Sequence, residues 1–445
     1  MALTIGRTPG TEVTLEAGTI SGIQVGAEEK LVIFARGDPS TGDAQVNSPT
    51  KVSTGGEAET EFGEGTHLTK LIKQALENGA NASYLWGVMP ATQSVTAESF
   101  AATQSFQLAN YPIIEDVAEL TIRDTVDSVD LTTEFHYQSP PATPSNADTA
   151  FVRPQSGEVE ADSSSDYEVD YKYLDWASAF DAADPIVNEG ESGVYWAGTD
   201  AESVAADVFT KAESLRDPAY KMVKAGAGAP PNANTGESPP DPDYDTSTYT
   251  DNLDSLPGFL FAPARQDDTT TTLLGAIAGK AAGNAFTNPI RGEQLSGVSI
   301  ESGVDDAALL DFGERSDLRD AFVVPIEKEG SIELDGSLST YEGAAWETDF
   351  QTVRVVDRCV LIVYEVGQAI MNRLDAQGLE DIAAEEAQAQ LEGLADEGLI
   401  EPNTQDETNL YVRPVEDTPQ GEIALEMGVT PVQAVDTFRT TITIG

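Results

Sequence analysis

Leu31-Val-Ile-Phe-Ala35, the turn signal Arg36-Gly-Asp-Pro39, the stretch His67 to Asn78 closed by Gly79, and Ala82-Ser-Tyr-Leu-Trp-Gly-Val88 decide the fold. The first is a short continuous apolar run, the pattern of a strand covered on both faces. In the stretch from His67, residues Leu68, Leu71, Ile72, Ala75 and Leu76 fall on one face of a helix. Asn78-Gly79 supplies the left-handed cap that ends it. Strand, helix and strand in this short span predict two parallel strands joined by a right-handed crossover.

Upstream, residues 1–25 alternate weakly through Leu3, Ile5, Val13, Leu15, Ile20, Ile23 and Val25. They have too little apolar surface for a core of their own and are expected to form an extended arm. Downstream, residues 110–175 carry Val117, Leu120, Ile122, Val129, Leu131 and Phe135, then the strict alternation Tyr167, Val169, Tyr171, Tyr173. This predicts antiparallel β structure, a small sandwich or barrel inserted into the main domain. Val204 to Leu215 is expected as a helix, and the Gly- and Pro-rich stretch 225–250 as a loop or linker.

Further on, Phe259-Leu-Phe-Ala262 is expected as a buried strand and Thr272 to Ala285 as a helix of small residues. Val353 to Leu374 is expected to begin as a strand and continue as a helix, and Leu379 to Leu394 to be an acidic helix. Asn409–Arg413, Glu422–Glu426 and Thr437–Ile444 are expected as terminal strands, with Phe438, Thr440, Ile442 and Ile444 alternating with Arg439, Thr441 and Thr443.

The 445 residues are 40% hydrophobic, enough for two or three cores of ordinary size. Asp and Glu number 77 against 24 Lys and Arg, a formal charge of -53 spread along the whole chain. Normal hydrophobicity excludes disorder as the meaning of this charge. Even spacing and scarce Lys favour a solvated surface suited to molar salt, and so a halophilic host, over an acidic patch for one basic partner. Without a basic cluster, nucleic acid is not an expected partner. Met1 to Pro9 lacks a basic segment followed by an apolar core, so no signal peptide is expected. The absence of a run of about 18 apolar residues argues against a membrane span.

Candidate chemistry is sparse. Cys359 is the only cysteine and lies in the apolar run Val355 to Val366, as a small buried hydrophobe would. Gly275-Ala-Ile-Ala-Gly279-Lys280-Ala281 falls short of a phosphate-binding loop by one residue between the glycines and by the missing hydroxyl at Ala281, so a closely packed helix is expected. Asp241, Asp243 and Asp245 have the odd spacing of a calcium loop, but Thr246 and Asn252 stand where Gly and Glu are needed, leaving at most weak cation binding. His67 and His136 are the only histidines and are expected in structural roles. Asn81-Ala-Ser83 matches a glycosylation acceptor but abuts a core strand. No catalytic residue, cofactor or metal site is expected.

The order of these segments resembles the contractile tail sheath family. The resemblance runs through Lys30-Leu-Val-Ile-Phe-Ala-Arg-Gly37, Phe62-Gly-Glu-Gly65, the helix from Leu68, and Gly79-Ala-Asn-Ala-Ser-Tyr-Leu-Trp-Gly-Val88. It resumes with Ser255-Leu-Pro-Gly-Phe-Leu-Phe-Ala-Pro263, Ala276 to Arg291 with Asn288-Pro289, Val353-Arg-Val-Val-Asp357 with Ile370 and Asn372, and Thr430-Pro-Val432 to Ile444. Val353-Arg354-Val355-Val356 departs from the Asn-Val-Arg-Arg common in that family.

The resemblance implies an α/β (α+β) multidomain protein. An arm (1–25) would lead into a discontinuous sheath domain (26–105 and 251–404), an inserted outward domain (106–250), and C-terminal strands with a second arm (405–445). It further implies a structural subunit that polymerises around an inner tube and contracts, with Leu3, Ile5, Val13, Leu15, Phe438, Thr440, Ile442 and Ile444 in the subunit-joining arms. Implied partners are copies of itself, the inner tube protein, and baseplate and tail terminator proteins. The implied place is a virion tail assembled in the host cytoplasm, without direct nucleic-acid or membrane contact.

Another virion protein, a tail tube or capsid component, and a cytoplasmic enzyme with an inserted β domain are the competing readings. Strand-forming termini on both sides of a split domain speak against the enzyme. If the charge is a solvated surface, the thermal midpoint of the protein rises when KCl is raised from about 0.1 M to about 1 M, where the Debye length falls from roughly 10 Å to 3 Å. A midpoint that falls or stays level over that range, followed by circular dichroism, overturns this reading.

Overall fold

Residues 2–4, 29–136, 143–216, 221–228, 232–233, 242–243, 258–261, 273–284, 290–298, 324–328, 331–335, 350–371, 379–405, 407–415, 423–432 and 438–444 are described by the structure, a computed structural model. Five parallel strands form its centre: β2 (Lys30–Phe34), β4 (Leu85–Val88), β11 (Ser192–Ala197), β12 (Met222–Gly228) and β15 (Gly258–Phe261). The short strand β3 (Thr50–Lys51) adds antiparallel to β4, so the sheet runs β15-β12-β11-β2-β4-β3.

The sheet is covered on both sides, as the apolar runs require. Leu31 and Ile33 face one core together with Val194 and Trp196, under helices α1 (Gly55–Phe62), α2 (His67–Glu77) and the later α5 (Leu274–Gly283). Val32 and Phe34 face the other with Tyr195 and Val223, under α3 (Trp176–Ala182) and α4 (Glu202–Arg216). Helix α2 begins at the cap Thr66, whose hydroxyl accepts from Thr69 N, and ends at Asn78 before Gly79 at φ +104. The expected strand at Ala82–Val88 opens with a single 3-10 turn, Ala82–Tyr84, before β4.

A second sheet is built from residues 91–175. Its long strands β5 (Ala91–Gln107) and β10 (Glu158–Asp175) pair antiparallel. Strands β6 (Leu120–Asp124), β7 (Val129–Asp130), β8 (Thr132–Phe135) and β9 (Thr149–Arg153) complete it, with β8 and β9 parallel. Tyr167, Val169 and Tyr171 are buried as their alternation predicts, among Ile122, Val152 and Val159.

Short strands β13 (Asn232–Ala233) and β14 (Pro242–Asp243) pair with each other, as do β16 (Gln294–Leu295), β18 (Ser331–Asp335) and β17 (Val324–Lys328) in that order. Helices α6 (Phe350–Met371) and α7 (Leu379–Asp396) pack against a further sheet of β1 (Ala2–Thr4), β19 (Leu410–Pro414), β20 (Ile423–Val429) and β21 (Phe438–Ile444).

Three expectations change. The edges expected at 106 and 250 do not coincide with the sheets: β5 already belongs to the antiparallel sheet, and β11 and β12 belong to the parallel one. The expected linker 225–250 begins with an inner strand, because the small residues of β12 answer its neighbours' bulk. A Cβ at Gly226 would stand 2.4 Å from the Trp196 ring. The region expected as strand then helix from Val353 is helical from Phe350, and its nearly continuous burial removes the periodicity that marks a helix in sequence. Residues 372–374 lie outside the described residues.

The Gly275–Ala281 segment is the closely packed helix expected. A Cβ at Gly275, Gly279 or Gly283 would approach the carbonyl oxygens of Leu71, Ala75 and Gly79 to 2.3, 2.4 and 2.2 Å. The four-residue spacing of these glycines lets α5 lie backbone to backbone on α2. Gly279→Val is expected to cost at least about 1–3 kcal/mol by overpacking, read as a lowered denaturation midpoint, whereas Gly393→Ala, in open space on α7, is expected to change far less.

Candidate assembly site

The sequence makes the chain ends the candidate site, and the structure brings them together. β21 pairs antiparallel with β20 along its whole length, and β1 pairs parallel with the far edge of β21. Leu3 stands beside Ile442. Phe438, Thr440, Ile442 and Ile444 stand opposite Val429, Met427, Leu425 and Ile423. Ile5, Val13 and Leu15 lie outside the described residues. Within one chain, both ends therefore pair with the chain's own strands, whereas the resemblance places them in arms that join copies.

This sheet has a firm inner half. Leu410, Leu425, Met427 and Val429 are buried with Val356, Val360 and Val363 of α6 and Ala383, Ala387 and Leu391 of α7. Cys359 is part of the same core, and burial pushes its thiol up to about 12. It is a packing residue, as its surroundings in sequence suggest.

What ties α6 to the parallel sheet is a buried ion network. Glu29, at the start of β2, receives Arg354 Nε of α6 at 2.9 Å and lies 2.6 Å from Lys224 Nζ of β12. Lys224 also reaches Asp357 Oδ2 at 3.3 Å, and Arg216 at the end of α4 grips Asp357 with two prongs, 2.5 and 2.9 Å. Ser192 Oγ of β11 donates to Glu29 Oε1 and accepts from Lys224, both at 2.9 Å. Arg354 Nη2 donates to the carbonyl of Asn284, the C-cap of α5, at 2.7 Å.

Glu29, Lys224, Arg354 and Asp357 are all at most 2% exposed. Burial works to raise the Glu29 carboxyl, but Arg354 and Lys224 outweigh it and hold it below the ordinary carboxylate range. Burial likewise opposes Arg216 and Lys224 at Asp357, and the cations again prevail. These residues were not singled out from sequence. The available signal was a charge inside an apolar run: Lys224 in Met222–Gly228, and Arg354 with Asp357 three residues on, hence on one helix face.

His136 stacks on Phe151 with ring centres 3.9 Å apart, and His67 sits in the first turn of α2. Asp243 lies in β14, Asp241 and Asp245 lie outside the described residues, and no group of metal-ligating side chains occurs among the described residues. No helix among them is long and apolar enough to cross a membrane.

A doubly wound sheet, an antiparallel sheet and a helix-backed sheet of chain ends define a mixed α/β protein of the tail sheath fold. The sheath tail protein of Desulfitobacterium hafniense superimposes with a TM-score of 0.56 at 12% identity, over 98% of this chain and 100% of that one. The sheath tail protein Lin1278 of Listeria innocua gives 0.54 at 12% identity, over 93% and 95%. A chain of the anti-feeding prophage baseplate gives 0.56 at 13% identity, over 97% of each. No protein-family model and no curated protein matches the sequence significantly.

Glu29→Gln leaves Arg354 and Lys224 without their shared carboxylate and is expected to cost about 3–5 kcal/mol in a chemical melt. Because the Glu29 and Asp357 values are depressed on folding, their stabilisation is complete above the unfolded values of about 4.3 and 3.9 and drains as pH falls through the lower folded ones. The wild-type midpoint should therefore drop steeply below about pH 4. In a variant carrying Glu29→Gln and Asp357→Asn, the acid limb should be shallower. Parallel limbs would remove the network from this role.

Proposed function

We propose that this chain is the sheath subunit of a contractile tail-like assembly. Copies polymerise around an inner tube and move together from an extended to a contracted lattice, driving the tube through a target envelope. The partners are further copies, the tube protein, and baseplate and terminator proteins at the two ends; the assembly acts as a virion tail or a related injection device. The chain is a structural element and not an enzyme.

The observation that carries this reading is the sheet of chain ends. β1 and β21 meet each other at the edge of a helix-backed core, and both strands are terminal. The segment 5–28 joins β1 to the body, and its 24 residues span up to roughly 80 Å when extended, enough to reach a neighbouring molecule. Exchanging β1 or β21 between copies keeps the same main-chain hydrogen bonds and registers, so the swap costs little while linking subunits. Head-to-tail linkage of this kind propagates as a helix. Whole-length likeness to sheath tail proteins of two bacteria supports the same reading.

Leu3→Cys with Ile442→Cys places two thiols at paired positions, in a chain whose single native cysteine is buried. Oxidation of the assembled protein is expected to give ladders of covalent oligomers on denaturing gels. Monomers carrying only an internal bond would show that the ends stay closed and would refute the exchange.

Deleting 432–445 is expected to leave a folded, soluble subunit that forms no tubes by negative-stain microscopy in high salt. Long ordered polymers from that truncation would also refute the arms.

A further inference from the structure

We infer that the sheet of chain ends accepts a strand from another copy on one side only: β19 is a sealed edge, and the strand of a second copy enters beside β21. The seal is a property of the single subunit. That the incoming strand is β1 of a second copy rests on the assembly proposed above. In the order β1-β21-β20-β19, the two edges of the sheet are β1 and β19. An edge strand normally presents a row of backbone groups ready to pair with another chain. Val415, just past β19, donates its N–H inward to Ala424 O at 2.9 Å. Backbone groups alternate along an antiparallel pair, so Tyr411 and Arg413 also point inward, opposite Gly428 and Glu426. Leu410, Val412 and Pro414 turn theirs to the free edge.

All three positions are closed. The Asn403 carboxamide accepts from Leu410 N at 2.8 Å and donates to Leu410 O at 2.7 Å, the pair of bonds a neighbouring strand would make. Val412 N donates to Gln388 Oε1 of α7 at 2.8 Å. Pro414 has no N–H, and proline is tolerated in a sheet where that position faces outward. A strand approaching β19 therefore meets no N–H to accept. A loop, a helix and the strand itself each remove one of three successive donors. A turn stabilised for its own sake would need only the first.

The other edge is built the opposite way. β1 covers Thr441 to Thr443, three of the seven residues of β21. β21, Phe-Arg-Thr-Thr-Ile-Thr-Ile, has no acidic residue, and neither has Met1 to Gly10, in a chain with 77 Asp and Glu. The first strand of a second copy laid beside β21 thus avoids the like charge that the chain carries elsewhere. Two copies meeting β19 to β19 would close into a two-fold dimer and stop. A strand that enters only beside β21 makes every contact head-to-tail, and such contacts propagate.

The test is amide hydrogen exchange and sedimentation of the full chain in about 1 M KCl, where self-repulsion is screened, at concentrations below those that give polymer. The amides of Leu410 and Val412 are expected to be protected in the unassembled subunit. Asn403→Ala is expected to speed exchange at Leu410, and Gln388→Ala at Val412, each about tenfold, the scale of one lost hydrogen bond. Asn403→Ala, Gln388→Ala and Pro414→Val together expose three N–H groups, and that variant is expected to form dimers where the wild type does not. Thermal melts report whether the variants fold.

Exchange at Leu410 and Val412 as fast as in an unstructured peptide, or a folded triple variant that stays monomeric, overturns the sealed edge. The side of entry is read with a synthetic peptide of residues 1–10 carrying a photo-crosslinker in place of Ile5. It is expected to attach to β21 and not to β19, and attachment to β19 overturns one-sided entry. A protected β19 edge with no attachment to either strand refutes the exchange of chain ends and leaves the seal standing.

Discussion

Five charged side chains and one serine, drawn from four distant parts of the chain, meet in the interior at Glu29, Ser192, Arg216, Lys224, Arg354 and Asp357. Each charge would be prohibitive alone in this medium. Together, three cations and two carboxylates satisfy one another at hydrogen-bonding distance. Apolar residues of equal volume could hold the same elements with similar free energy. They would accept several registers between α6 and the parallel sheet, whereas a two-pronged Arg216–Asp357 pair and the Arg354–Glu29 bond accept one. The network thus positions α6, and α6 positions the sheet in which the chain ends meet. Its first member, Glu29, stands directly before β2 in the best-buried charged site among the described residues.

The same scarcity of cations organises surface and interior. With 24 Lys and Arg against 77 Asp and Glu, the outside is overwhelmingly acidic, and side-chain attraction between like copies is weak or repulsive. Main-chain pairing is indifferent to that charge. In the assembly proposed above, copies of this composition would join through strands, and the sheet of chain ends would supply them. Closed in one molecule or exchanged between two, the ladder of hydrogen bonds is the same. The choice between the forms then rests on the tether and on concentration instead of on bond strength.

Close packing without side chains recurs where elements must touch. The glycines at 275, 279 and 283 bring α5 onto the backbone of α2, and Gly226 admits the Trp196 ring. In sequence both regions resemble something else: a near phosphate loop in one case, a linker in the other. Glycine shows that bulk is excluded at a position but does not show by what. Only the neighbour across the interface separates a tight seam from a turn.

Local pattern sufficed for the elements whose burial follows a period. Leu31–Ala35, the helix from His67, the Tyr167–Tyr173 alternation and the terminal strand at Phe438 were legible because one-sided or two-sided burial leaves its rhythm in the residues themselves. The acidic surface and the unreactive Cys359 were legible for the same reason, since composition and immediate neighbours determine them. Tertiary structure alone decided that β11 and β12 join the central sheet, that α6 is helical from its first turn, that both ends pair in one sheet, and that Glu29, Lys224, Arg354 and Asp357 share a site. Partners separated by up to 325 positions, Glu29 and Arg354, leave no periodic trace. A charge inside an apolar run announces that it needs a counter-charge, but its identity is settled only when the chain folds and dehydrates the pair.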